Sequence, residues 1–231
     1  ALGAEGIDAL YRLSSSLQKL IMESPVPENV ASAIQKAADR LKSYPDEPLT
    51  LAVRSSGVNE DLAEASFAGQ YRSVLNVSPL ELLRAYKEIV ASIYSTTAMT
   101  YRLNRGLRDE DAVMCVGFMK MVDAVAGGVA YSRDPLGEKS DTLIINSAWG
   151  LPKLVVDGRC NADRFVVSRM PDLKIIQREI ADKTMKYTCN GAEGVCRLDL
   201  AGEDRLKPSI SDEQVLALSR AAVASEEYYG E

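Results

Sequence analysis

Apolar residues recur at helical spacing from the start of the chain. Ile7, Leu10, Tyr11, Leu13, Leu17, Leu20 and Ile21 repeat every three or four positions and predict a helix. Pro25 and Pro27 interrupt it, and a second helix is predicted near 28–42. Tyr44-Pro45-Asp46-Glu47-Pro48 reads as a turn, so residues 1–48 form a helical lead-in. Leu49, Leu51 and Val53 then alternate into a strand that delivers Arg54 to its end, and a further strand runs from Tyr71 to Val77. The clearest helix is 79–95. Ser78 caps it, Pro79 takes the first position, and Glu81 completes a Ser-x-x-Glu capping box. Its core face is Leu82, Leu83, Tyr86, Ile89, Val90, Ile93 and Tyr94. A basic segment follows, with Arg102, Arg105 and Arg108 around Gly106.

The second half changes period. Short apolar or alternating runs at 112–118, 127–132, 142–146, 163–168, 173–180, 184–188 and 195–200, separated by turn residues, predict a mostly antiparallel sheet. A last helix starts at Ser211, with Gln214 three residues on, and carries Val215, Leu216, Leu218, Ala222 and Val223. Helical front and sheet-rich back together read as a two-lobed α+β enzyme domain.

Composition narrows the function classes. The 231 residues are 46% hydrophobic, enough for one large domain or two coupled lobes. A formal charge of −6 argues against a nucleic-acid scaffold. No run of about 18 apolar residues and no charged-then-apolar leader is present, so no membrane partner is expected and a soluble cytoplasmic protein is. Histidine is absent, which removes a Ser-His-Asp or Cys-His centre and a phosphohistidine from this chain. Cys115, Cys160, Cys189 and Cys196 form no Cys-x-x-Cys pair and read as small apolar residues; a Cys189–Cys196 disulfide is a second option.

Several segments can carry chemistry. Arg54, followed by Ser55-Ser56-Gly57, can grip phosphate oxygens with its planar fork, or pair on the surface with Glu60, Asp61 or Glu64. Ser66-Phe67-Ala68-Gly69-Gln70 is a small-residue loop whose amides can approach a polyphosphate, or an ordinary turn. Phe118-Met119-Lys120-Met121-Val122 can flank an adenine with methionines, or be core strand. Arg133-Asp134-Pro135 suggests an ion pair at a strand end, and Trp149, the single tryptophan, reads as packing. No Walker loop and no G-x-G-x-x-G is present.

The order of these motifs resembles a known family. Val53-Arg54-Ser55-Ser56, Glu60-Asp61-Leu62, Ala65 to Gln70, Leu75-Asn76-Val77, Gly127-Gly128-Val129, Arg133-Asp134-Pro135, Ala148 to Leu151 and Asp163 to Val167 follow the pattern of a nucleotide-binding domain. It is the PEP/pyruvate-binding, ATP-grasp-like domain of phosphoenolpyruvate synthases, pyruvate phosphate dikinases and rifampin phosphotransferases. The resemblance covers roughly residues 20–229. It implies an ATP-grasp-like fold with a first lobe at 49–118 and a second at 119–231, truncated at its C-terminus. It also implies that Mg·ATP is clamped by the two lobes. A phosphate-bearing group then passes to a histidine on a separate swivelling domain, and from there to pyruvate on a third. By the same resemblance Arg54 is the catalytic residue on the ATP phosphates. Ser66, Gly69 and Gln70 belong to the loop over them, Ser73 stands at a nucleotide-contacting position, and Met119 to Met121 form the interlobe hinge beside adenine.

The chain departs from the pattern at three places. Met119 stands for a glutamine, Pro152-Lys153 for Gly-Glu, and Gly57-Val58-Asn59 for an Ala-Thr-Ala-like triplet. The family's lysine-bearing motif and its acidic metal-binding segment with a Gln-x-Arg would lie outside Ala1–Glu231, and with them the Mg²⁺ ligands. The expectation is therefore a fragment that does not turn over alone. Two other readings are carried: a phosphotransferase acting on rifampin or another acceptor, and a degenerate nucleotide-sensing or interaction module, motivated by Met119 and Lys153.

Overall fold

The computed structural model describes residues 4–42, 49–57, 61–62, 65–66, 71–108, 110, 112–137, 141–190 and 194–230. They form an α+β architecture whose paired strands are all antiparallel. Two compact units result: 1–121 with 190–194, and 122–189 with 195–231.

In the first unit, α1 (Ala4–Glu23) and α2 (Glu28–Arg40) flank the proline break. Helix α1 carries no basic residue in its last turn; Lys87 supplies one from outside, its Nζ donating to Met22 O at 2.6 Å. A three-stranded sheet in the order β4–β1–β5 is made of β4 (Ser73–Val77), β1 (Leu51–Gly57) and β5 (Met114–Lys120). Between β1 and β4 lies a two-residue-per-strand hairpin, β2 (Asp61–Leu62) and β3 (Ala65–Ser66). Leu51, Val53, Val74, Val77, Met114, Val116 and Phe118 face one side of the larger sheet. There they pack on α3 (Leu82–Ala91) through Leu82, Ala85 and Ile89, and on Ile34 and Ala38 of α2.

Two expectations need correcting here. Arg54 is not at a strand end, because β1 continues through Ser55, Ser56 and Gly57, each paired with β5. Alternation puts Arg54 and Ser56 on the face away from the core. The 79–95 helix is a 3₁₀ turn at Pro79–Glu81, then α3, then a second 3₁₀ turn at Ser92–Tyr94, and Ser78 makes no side-chain cap. The basic segment is helical as well: α4 (Thr96–Arg105) is capped by the Ser95 hydroxyl and ended by Gly106 at φ 67°. Arg102 is buried in it and donates to Ile93 O at 2.7 Å.

The second unit is built on a four-stranded sheet, β6–β7–β8–β9: β6 (Ala126–Tyr131), β7 (Thr142–Trp149), β8 (Asp163–Ser168) and β9 (Lys174–Glu179). Leu143, Ile145, Phe165 and Val167 meet Val215 of α6 (Asp212–Tyr229), which begins with the expected Ser211–Gln214 capping box. A short helix, α5 (Lys153–Val156), buries Leu154. The ribbon β10 (Met185–Cys189) with β11 (Val195–Asp199) meets the residue just past β7 through the isolated Gly150–Tyr187 bridge. Gly150 has φ 80°, and a Cβ there would run into the Tyr187 carbonyl. None of the described helices is long and apolar enough to cross a membrane.

Candidate functional site

Alternation along β1 and β5 sends a second set of residues to the side of the sheet away from α3. These are Ala52, Arg54 and Ser56 on β1, and Cys115, Gly117 and Met119 on β5. Arg54 is exposed and lies in register with Ser73 on one side and Gly117 on the other. Ala52 faces Met119, which is 54% exposed. Among the described residues no carboxylate pairs with the Arg54 guanidinium.

The structure thus brings Arg54, Ser73 and Met119 onto one sheet face. Met121 follows β5, half-buried, and its amide donates to Thr50 O at 2.8 Å. Ser66 is the last residue of β3, paired with Asp61, and its side chain lies outside what is described. Gly69 and Gln70 also lie outside the described residues. Gly117 and Cys115 complete the face and were not singled out in the sequence. Period-two alternation places them with Arg54 only once the β1–β5 register is known.

The other candidate residues have structural partners. Arg133 pairs with Glu226 at 2.6 Å rather than with Asp134, whose carboxylate accepts the Leu136 amide. Arg169 holds the same Glu226 at 2.6 Å, and this hydrogen bond, reinforced by Arg133, brings the Glu226 carboxyl down to about 2. Trp149 donates its indole N–H to Asp204 O at 2.8 Å. Lys153, which reverses the charge expected there, is neutralised by Asp157 at 3.1 Å. All four cysteines are free, Cys189 and Cys196 included, and Cys115 is exposed rather than packed. Burial pushes the Cys160 and Cys189 thiols up. Asp123 is held low by the Cys189 amide and the Thr188 hydroxyl.

A cavity of ≈ 700 Å³ in the second unit is lined by Val125, Ala126, Trp149, Lys207, Ile210 and Gln214, among others. Trp149, Lys207 and Gln214 already have hydrogen-bond partners, so the cavity presents mainly apolar surface. Among the described residues no cluster of three or more Asp, Glu, Cys or His gathers.

Comparison with known proteins adds an independent line. Residues 2–231 match the family model described as the pyruvate phosphate dikinase AMP/ATP-binding domain. The chain is 36% identical over 238 residues to the phosphoenolpyruvate synthase of Helicobacter pylori, covering 98% of this chain and 29% of that protein. It is 32% identical to the enzyme of that name from Escherichia coli, covering 98% and 30%. Against the probable phosphoenolpyruvate synthase of Methanocaldococcus jannaschii the identity is 31%, covering 96% and 19%. The chain spans less than a third of the length of these relatives.

Proposed function

Since the chain belongs to the family of the pyruvate phosphate dikinase AMP/ATP-binding domain, we propose that it is the ATP-binding portion of a dikinase-type phosphotransferase of the phosphoenolpyruvate synthase kind. The overall reaction would convert ATP, pyruvate and water to phosphoenolpyruvate, AMP and phosphate. Its phosphohistidine would sit on a separate domain, since this chain has no histidine. A phosphohistidine domain and a pyruvate/phosphoenolpyruvate domain of the parent protein are the partners this reading requires. A cytoplasmic location goes with it.

The observation that carries the reading is Arg54, exposed and without a carboxylate partner among the described residues, in register with Ser73 and two pairs away from Met119. The catalytic role assigned to Arg54 is to hold the phosphates and neutralise charge as it shifts between oxygens; the protein's part in phosphoryl transfer is chiefly such positioning. Ser73 offers a hydroxyl beside it. Ser66, Gly69 and Gln70 would close over the phosphates, and Met119 and Met121 would cover the adenine. Residues 49–118 and 119–231 are taken as the two ATP-grasp-like lobes, a reading supported by the division into two compact units at Met121–Val122. Mg²⁺ would accompany the nucleotide, with its protein ligands outside this chain. The alternative of a degenerate sensing module loses one of its two motives, because the Lys153 charge is offset by Asp157.

Calorimetric titration of Mg·ATP and of adenosine into the chain and its Arg54→Ala variant tests the reading. The variant should lose about 1.5–3 kcal/mol of triphosphate affinity, the usual worth of a charge-assisted contact, and much less for adenosine. Equal weakening of both ligands would make Arg54 structural. Should the unsubstituted chain not bind, the same titration on the longer parent protein decides, and its failure to bind would overturn the assignment of the site to these residues.

A further inference from the structure

Gly117 is a glycine that neither the backbone nor the packing demands. It sits within β5, between Val116 and Phe118 and in register with Arg54. It is not among the glycines at positive φ. A Cβ built on it would meet nothing nearer than the Arg54 carbonyl oxygen at 3.9 Å, an ordinary contact. Gly128 differs, since a Cβ there would drive into the Asn146 carbonyl. Glycine inside a strand weakens it, through backbone entropy and the missing side chain, and often marks a place where a ligand approaches closely. What Gly117 changes is the outer face, where it leaves bare backbone beside the Arg54 side chain and between Cys115 and Met119, both exposed.

We propose that Gly117 is a nucleotide-positioning residue, keeping the face of β5 clear so that the sugar–phosphate junction of a nucleotide can lie against the strand. The proposal rests on the ATP-binding reading of this face. Met119 lies two residues further along β5, about 7 Å at the usual strand rise. A base covered by Met119 and phosphates held by Arg54 therefore leave the sugar and the first phosphate over Gly117. A valine would fill that space with two methyl groups. An alanine would fill part of it.

The test compares Gly117→Val, Gly117→Ala and Arg54→Ala with the unsubstituted chain, titrating each with adenosine, AMP and ATP and recording its thermal unfolding. Gly117→Val should weaken all three ligands by about tenfold or more, as overpacking does. Its melting temperature should hold or rise, because a β-branched residue suits a strand. Gly117→Ala should fall between. Arg54→Ala differs by sparing adenosine. If Gly117→Val binds all three as the unsubstituted chain does, while Arg54→Ala loses ATP, the role of Gly117 is overturned and the ATP site stands. If the unsubstituted chain binds none of the three, the series is repeated on the longer parent protein, and both fall if it too binds none. Should the valine variant not fold, the alanine variant, whose Cβ has room, decides by whether its affinities drop.

Discussion

Lys183 and Asp163 form an ion pair without solvent contact: Nζ lies 2.6 Å from Oδ1 and both side chains are fully enclosed. The second carboxylate oxygen accepts both the amide and the hydroxyl of Ser209 at 2.7 Å, and Ser209 Oγ lies 2.7 Å from Ser147 Oγ. Lys183 also donates to Ala181 O at 3.0 Å. The pair therefore ties β8 to the segments on either side of the β10–β11 ribbon.

Removing one partner leaves the other charge stranded. Lys183→Met should cost about 3–5 kcal/mol, the usual penalty for breaking a buried pair. Urea unfolding followed by Trp149 fluorescence would read it as a lower midpoint. A loss under about 1 kcal/mol would show that water reaches Asp163 and that the pair is not sealed.

The Arg169–Glu226–Arg133 cluster predicts an acid limit. The folded Glu226 carboxyl, at about 2 against an ordinary 4.5, is depressed first by Arg169. A depressed acid contributes stability that is fully present above its unfolded value and is lost as pH falls toward the folded one. The stability gap between the unsubstituted chain and Glu226→Gln should be constant above pH 5 and close between about 4.5 and 2. Melting temperatures across pH 2–7 check it; a gap that closes above pH 5 would contradict the assignment.

Asn76 is a non-glycine residue at φ 56°, buried, with its amide nitrogen donating to Asn190 O at 3.0 Å and Gly194 O at 2.8 Å. Asn76→Gly removes the two hydrogen bonds and keeps the backbone relaxed; Asn76→Ala also adds the left-handed strain. Both should destabilise, alanine more than glycine by about 1–2 kcal/mol, measured by urea unfolding. Equal costs would mean that strain at this position is absorbed elsewhere.

Helix α6 depends on its start. Ser211 accepts the Gln214 amide at 3.3 Å and Gln214 accepts the Ser211 amide at 2.8 Å. Ser211→Ala should lose about 1 kcal/mol, and Ser211→Gly only a few tenths. Differential scanning calorimetry on the two variants distinguishes them.

Much of this was legible because it rests on local chemistry. The seven runs predicted in the second half emerge as β5 to β11, since period-two alternation survives whatever the strands pair with. The Ser211–Gln214 box formed because both partners lie within one turn. The Ser78–Glu81 box did not, although its residues satisfy the same pattern. The chain takes a 3₁₀ turn there, and Glu81 is turned toward Arg84 at 3.4 Å. Helix α4 escaped notice because its buried set, Ala98, Met99 and Arg102, includes an arginine and forms no apolar stripe.

By itself the sequence determined the helical front, the strand-rich back, the absence of histidine chemistry and the family pattern that runs from Arg54 to Val167. Tertiary structure alone decided which residues share a surface. Arg54 meets Ser73 and Gly117 through antiparallel register across three strands, and a slip of one residue would turn each of them to the opposite face. Asp163 and Lys183, twenty residues apart, reveal their pairing only when the fold excludes water from both. Periodicity is written in neighbouring residues, whereas register and burial are set by parts of the chain that are distant in sequence.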